Sequence, residues 1–202
     1  MMEDKHVKVL EHFKKNDKLM YNAAKKVGLK VIEKRKNNQH FSSLCHAIIS
    51  QQLSWKAADS IFKRFKNLFP RKIITAKYTV SLPLRKIQAC GLSLPKATYI
   101  KDLAERVDKK LLPLNKIDKF SNDEVIKLLT QVKGIGPWTA EMFLMFSLGR
   151  EDVFSHGDLG LRNSLKKLYN LDSDDKVEMQ KIAEKWSPYR TYASRVLWDL
   201  HD

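Results

Sequence analysis

Three features are absent from this sequence, and each absence excludes a class of site or protein. Its two cysteines, Cys45 and Cys90, form no Cys-X-X-Cys pair, so thiolates cannot build a zinc ribbon or an iron–sulfur cluster. The six histidines are scattered and form no ligand cluster, and we predict no catalytic metal. No apolar run approaches the ~20 residues of a membrane span, and the first residues lack the apolar core of a signal peptide. These features predict an intracellular protein of the cytoplasm and nucleoid, or of a nucleus, with no membrane partner.

Glycine and proline are also scarce, with seven and six residues in a chain of 202. Apolar residues make up 43% of the chain and charged residues 30%, a balance typical of folded proteins. The apolar residues recur with a period of about 3.6, which is the signature of helices that bury one face. The sequence therefore predicts an all-α protein, and its length admits one domain or two small lobes.

Acidic residues are outnumbered by basic ones, 23 against 38, which gives a formal net charge of +15. An excess of this size predicts a polyanionic partner, with nucleic acid ahead of a membrane surface. A lysine-rich surface without a dedicated partner is the alternative that composition leaves open.

The segment around Gly134 predicts a tight hairpin between two helices. Ser121 and Glu124 form a capping box that begins the first helix. Gly134 is placed where that helix needs a left-handed residue after its end, and Pro137 where the next helix begins. With Gly136, the hairpin has little side-chain bulk and exposes backbone N–H groups beside a helix N-terminus, which predicts a phosphate site.

Three other segments carry polar residues at helix boundaries. Asp158 is placed to cap a helix over residues 159–169, and the pattern alone assigns it only this structural role. Ser187 and Pro188 predict the start of a last helix over residues 189–200, with the proline in its first turn. Gln51 and Gln52 interrupt two apolar helical faces, and on its own this segment favours an ordinary interhelical loop.

Four segments taken together resemble one known family. Residues 131–142, 152–160, 48–54 and 186–198 are similar to the motifs of the helix–hairpin–helix–Gly/Pro–Asp superfamily of DNA glycosylases. The likeness is closest to its 3-methyladenine DNA glycosylase II branch. The resemblance covers roughly residues 40–200, and four motifs in the right order make it specific.

The resemblance implies an architecture and a reaction. It implies two helical lobes with an active-site cleft between them: a central bundle over residues 41–150 with the helix–hairpin–helix at about 121–148, and a second lobe of residues 1–40 with 151–202. The reaction is the excision of alkylated purines in base excision repair, in which the base is flipped from the helix and its N-glycosidic bond is hydrolysed. The expected partner is double-stranded DNA that contains damaged bases, bound by a monomer.

The resemblance assigns catalysis to Asp158, which falls on the superfamily's essential aspartate. One carboxylate suffices when the leaving purine is already cationic, because the carboxylate stabilises the oxocarbenium-like sugar in the transition state. Asp152 is the competing carboxylate, and we discount it because it precedes an apolar pair instead of a helix.

The same comparison names residues that hold the base. Trp138, Trp198, Tyr192 and Met142 are the expected base pocket, since aromatic faces attract cationic rings; for Tyr192, core packing is an equal alternative. Relatives that also cut the strand have a lysine where Trp138 stands. The resemblance therefore implies base release without lyase activity.

The expected DNA contacts lie around the hairpin. Gly134 and Gly136 bind phosphates, Lys133 and Arg162 add charge, and Gln52 fills the gap left by the flipped base. No cofactor is expected, apart from a structural monovalent cation that relatives hold on the hairpin carbonyls. Two alternatives stay open: a glycosylase for deaminated or oxidised bases, and a helix–hairpin–helix DNA-binding module without enzymatic activity.

Overall fold

The computed structural model describes residues 2–172 and 175–201 of the chain. All secondary structure within these ranges is helical, which confirms the predicted all-α class. No helix in the described part is long and apolar enough to cross a membrane.

The described residues form α-helices joined by short loops and 3-10 turns. The α-helices, in chain order, are α1 Met2–Asn16, α2 Lys18–Val27, α3 His40–Ser50, α4 Trp55–Lys66, α5 Ala76–Ser81, α6 Leu84–Gln88, α7 Leu94–Asp108, α8 Asn122–Leu129, α9 Pro137–Phe146, α10 Leu159–Tyr169, α11 Lys176–Glu184 and α12 Arg190–His201. The 3-10 turns cover Asn37–Gln39, Pro70–Lys72 and Ile117–Lys119.

The chain divides into two compact units, Arg35–Phe143 and Met1–Lys34 with Leu144–Asp202. In the unit Arg35–Phe143, helix α7 is central and packs against α3, α5 and α6. Its inner face is fully buried at Ile100 and Leu103. Helix α7 therefore forms the centre of the core of this unit.

The other unit is built from the terminal parts of the chain. Helix α2 packs against α1 and α12, and α12 also packs against α10. Trp186 and Phe13 are fully buried in its core. The N-terminal helices thus complete a core whose remaining members come from the last third of the sequence.

Several helix ends follow the predicted chemistry and two do not. The capping box is present, with Glu124 N–H donating to Ser121 Oγ at 3.2 Å and Ser121 N–H donating to Glu124 Oε2 at 2.7 Å. Gly134 has the expected positive φ of +79°, but α8 already ends at Leu129, so Gly134 belongs to the hairpin turn and does not end the helix. Helix α12 begins at Arg190, beyond Pro188.

Asp17 links three elements of its unit from a buried position between α1 and α2. Its Oδ1 accepts the Met20 N–H at 3.0 Å and caps α2. Its Oδ2 accepts the Tyr169 hydroxyl at 2.5 Å and the Trp186 indole N–H at 3.0 Å. Burial, and then the hydrogen bond to Asp17, raise the pKa of Tyr169, so its hydroxyl stays protonated and donates.

Replacing this carboxylate should therefore destabilise the protein. In Asp17→Ala the indole N–H and the hydroxyl lose their acceptor, and each buried unsatisfied group costs about 1–3 kcal/mol. We expect the free energy of unfolding, measured in urea, to fall by roughly 3 kcal/mol. Asp4→Ala, which removes only an exposed ion pair with Lys8, should change it by less than about 1 kcal/mol. Equal losses in the two variants would contradict the role given to Asp17.

Candidate active site and nucleic-acid interface

The hairpin after α8 is shaped by what lies beneath Gly134. A Cβ atom at this position would come within 2.1–2.6 Å of the Tyr99 ring, closer than two carbon atoms can approach. The φ of +79° also favours glycine. Residue 134 is therefore glycine for two internal reasons, and Tyr99 of α7 is the support on which the turn rests.

Two side chains hold the backbone of the hairpin in place. The Lys133 N–H donates to Asp102 Oδ2 at 2.9 Å, and the same oxygen accepts the Arg106 Nε–H at 3.0 Å. The amide of Gln51 donates to the Gly134 carbonyl at 2.7 Å. The turn is thus fixed both to α7 and to the loop that follows α3.

Gly136 differs from Gly134 in its surroundings. A Cβ atom there would meet no protein atom within 4 Å. The protein itself gives no packing reason for a glycine at this position, directly before Pro137 begins α9. Open space beside a helix N-terminus leaves room for an anionic group to approach the backbone.

A cavity of about 910 Å³ opens beside the hairpin within the unit Arg35–Phe143. Four predicted site residues share its lining: Gln52, Gly134, Trp138 and Met142. Trp138 is 47% exposed and Trp55, on the same lining, is 78% exposed. No sequence motif assigns a role to Trp55, and its exposure beside Gln52 is what distinguishes it from a core tryptophan.

The predicted wedge Gln52 lies on an exposed loop in a strained backbone conformation. Its φ is +56°, in the left-handed region that residues with a Cβ seldom occupy. Residues with such conformations are concentrated at functional sites, where the surrounding structure maintains the strain.

In the other unit, Asp158 caps α10 from a position that is 9% exposed. Its Oδ1 accepts the Leu161 N–H at 2.8 Å and the Trp198 indole N–H at 3.2 Å. A Cβ atom at residue 160 would come within 3.2 Å of this oxygen and 3.5 Å of the Trp198 ring, and that residue is Gly160. The structure thus brings together Asp158 and Trp198, two of the predicted site residues.

An aromatic partner missing from the sequence prediction extends this group. The Phe146 ring packs on Trp198 with centroids 5.7 Å apart and an interplanar angle of 32°, and Phe146 is 41% exposed. The Arg195 guanidinium lies 6.0 Å from the Phe146 centroid. Phe146 lies in an apolar run of the sequence, and only its exposure reveals a surface beside Asp158.

Asp152, the competing carboxylate, is engaged in a structural contact. Its two oxygens accept the Arg190 guanidinium at 2.7 and 3.0 Å, and Oδ2 also accepts the Ser187 hydroxyl at 2.9 Å. Its Oδ1 further accepts the Arg190 backbone N–H at 3.3 Å, which accounts for the start of α12 at that residue. Burial alone raises the pKa of Asp152, but the bonds from Arg190 and Ser187 outweigh it and the pKa is lowered.

The sequence also predicts three further site residues, Tyr192, Arg162 and Lys133. Tyr192 is only 4% exposed and packs edge-on against His6 and Tyr189 in the core of its unit, so core packing accounts for it. Arg162 lies one turn after Asp158 on α10 and is partly buried, whereas the side chain of Lys133 is exposed on the hairpin.

No metal-binding group is found among the described residues: no three His, Cys, Asp or Glu side chains gather closely enough to hold an ion. Both cysteines are buried free thiols, and burial raises the pKa of Cys45. On the hairpin, the Val132 carbonyl accepts the Ile135 N–H and the Gly134 carbonyl accepts Gln51. Both carbonyls therefore already accept hydrogen bonds from within the protein.

Comparison with known proteins supplies the context for this geometry. Residues 45–188 match the family model described as HhH-GPD superfamily base excision DNA repair protein, a span that includes the hairpin and Asp158. The chain belongs to this superfamily. It is 39% identical over 165 residues to DNA-3-methyladenine glycosylase 1 of Schizosaccharomyces pombe. The matched region covers 78% of this chain and 71% of that protein.

Two further proteins match nearly the whole length of this chain. The alkylbase DNA glycosidase-like protein mag2 of S. pombe is 31% identical over 209 residues, which cover 99% of this chain and 96% of that protein. The solved structure of the S. pombe 3-methyladenine DNA glycosylase in complex with abasic DNA matches with a TM-score of 0.82 at 35% identity, covering 95% of each chain.

The two hairpin glycines should respond differently to the same substitution. Gly134→Ala drives a methyl group into the Tyr99 ring at positive φ, and we expect a loss of stability of at least about 1 kcal/mol. Gly136→Ala meets no protein atom, so its thermal unfolding should match that of the wild type, whereas its affinity for duplex DNA should fall about tenfold, or ~1.4 kcal/mol. Unchanged DNA binding by Gly136→Ala would show that DNA does not approach this part of the hairpin.

Proposed function

We propose that this protein is a monofunctional DNA glycosylase that excises alkylated purines of the 3-methyladenine and 7-methylguanine type, as a step of base excision repair. The observation that carries the proposal is the Asp158 carboxylate, held by the Leu161 N–H and the Trp198 indole beside an exposed aromatic ring. The names of relatives at 39% and 31% identity, both concerned with alkylated bases, support the same substrate class.

Asp158 is proposed to stabilise the sugar as the glycosidic bond breaks. The C1′ atom becomes positively charged in the transition state, and a fixed carboxylate stabilises that charge without having to reorient. The two N–H donors on Oδ1 fix the orientation of the carboxylate. A water molecule oriented by the same group then attacks C1′.

The base itself supplies the rest of the driving force. A purine alkylated at N3 or N7 carries a positive charge and leaves as a neutral base, so no general acid is required. We assign Trp198 and Phe146, which pack on one another beside Asp158, to contact with the flipped base. Trp138 and Met142 line the cavity beside the hairpin, and their assignment to the base pocket stays a prediction. Electron-rich rings of this kind attract a cationic base more strongly than a neutral one.

The hairpin is assigned to the DNA backbone. Gly134 and Gly136 would bring backbone N–H groups to a phosphate, with Lys133 and Arg162 adding charge. The formal net charge of +15 provides a general attraction for duplex DNA, which the protein binds as a monomer. Because counterions are released on binding, the affinity should fall steeply with salt.

Trp138 also determines what the enzyme leaves behind. It occupies the hairpin position where strand-cutting relatives carry the lysine that forms a Schiff base with the sugar. We therefore expect an intact strand with an abasic site. Sodium borohydride added during turnover should trap no protein–DNA adduct, and an adduct on a denaturing gel would contradict this assignment.

The variant Asp158→Asn tests the catalytic assignment directly. Asparagine keeps an Oδ1 that can accept both N–H groups, and it caps helices as well as aspartate does. The fold and DNA affinity should therefore be preserved, while single-turnover release of 7-methylguanine falls ~10²-fold or more. Excision at the wild-type rate would refute the role of Asp158.

Asp152→Asn is the matched control. It breaks the ion pair with Arg190 and should lower stability while retaining excision by the folded protein. A carboxylate with a depressed folded pKa stabilises the fold above its unfolded pKa of about 3.9, and this contribution is lost as the pH falls through the folded pKa. The stability gap between this variant and wild type should therefore be present at pH 7 and close in acid.

A further inference from the structure

The two adjacent glutamines after α3 differ in what they contact. Gln51 is partly buried, and its amide donates to the Gly134 carbonyl of the hairpin at 2.7 Å. Gln52 is exposed and has the left-handed φ of +56°. A residue in this conformation stores about 1–3 kcal/mol of strain, so its neighbours must hold it there.

Lys96 of α7 holds the backbone on the other side of Gln51. Its amine donates to the Ile49 carbonyl at 2.8 Å and to the Gln51 carbonyl at 2.5 Å. These carbonyls lie at the C-terminal end of α3, where helical carbonyls lack partners and a cation is favoured. The last carbonyl held in this way belongs to the peptide bond that leads into Gln52.

One helix therefore carries the supports of both the loop and the hairpin. Lys96, Tyr99 and Asp102 follow one another at intervals of three residues along α7, which places them on the same side of the helix. Lys96 holds the loop, Tyr99 lies against Gly134, and Asp102 holds the Lys133 N–H. Gln51 joins the loop to the hairpin directly.

We propose that Gln51 and Lys96 are positioning residues that fix Gln52 relative to the phosphate-binding hairpin. When the hairpin binds the phosphate backbone of DNA, the position of the wedge residue Gln52 is thereby determined. This inference rests on the proposed function, in which Gln52 fills the gap left by a flipped base. Gln51 then acts on damaged DNA only through Gln52, and does not itself read the duplex.

A double-mutant cycle tests this dependence. Gln51→Ala, Gln52→Ala and the double variant are compared by the ratio of their affinities for a duplex with one abasic site and for the same duplex intact. Each single substitution should lower this ratio about fivefold, the size of one hydrogen bond. The double variant should be no worse than Gln52→Ala alone. Effects that multiply in the double variant would overturn the proposal.

Two further variants separate positioning from general stability. Lys96→Met removes the amine but keeps much of the stem, and Gln51→Glu keeps the size but cannot donate to the Gly134 carbonyl; both should lower the affinity ratio as Gln51→Ala does. Gln180→Ala, in the other unit, should leave it unchanged. Because both affinities come from one preparation, a partly unfolded sample changes them equally and leaves the ratio unaffected.

Failure of the proposed function would remain distinguishable from failure of this inference. If wild type releases no base but still prefers the abasic duplex, the enzyme assignment is wrong, and the cycle still reports whether Gln51 acts through Gln52. If wild type shows no preference for the abasic duplex, or if Lys96→Met retains the full ratio, the positioning proposal is overturned.

Discussion

The two hydrogen bonds to Oδ1 of Asp158 are the interaction on which the proposed active site depends. They come from the Leu161 backbone and the Trp198 indole, so one carboxylate caps a helix and anchors an aromatic ring at the same time. Gly160 permits this arrangement, since a side chain there would crowd both partners. The contacts that serve the fold thereby hold Asp158 in place for the catalysis proposed above, since a charge that is already fixed is effective in a transition state.

In the unit that contains the hairpin, two exposed loops have to be held in a fixed position relative to each other. Neither loop has a core of its own, and both are supported by α7, which is anchored by the fully buried Ile100 and Leu103. Tyr99 and Asp102 support the turn, and Lys96 supports the loop that carries Gln52. The strained φ of Gln52 is understandable in this setting, because the surrounding bonds and not local preference determine it.

Contacts between residues close in sequence were predictable, whereas packing between residues distant in sequence was not. The capping box at Ser121 and the cap at Asp158 depend on residues three positions apart, and both predictions are confirmed. The need for glycine at 134 was recognised, but its main cause is Tyr99, which is distant in sequence. Phe146 belongs to an apolar run whose members cannot be sorted into buried and exposed without the fold. The catalytic role proposed for Asp158 rests only on the family resemblance, because a capping aspartate has the same local pattern.

The proposed mechanism relies on a single fixed carboxylate, which suffices for excision because the departing base is cationic. It is tested most directly by single-turnover excision from two duplexes that differ only in the lesion, one with 7-methylguanine and one with the neutral 8-oxoguanine. We expect rapid release of 7-methylguanine, and release of 8-oxoguanine no faster than without enzyme. Comparable rates for the two lesions would contradict it, because a neutral purine needs a proton that Asp158 as a carboxylate cannot donate.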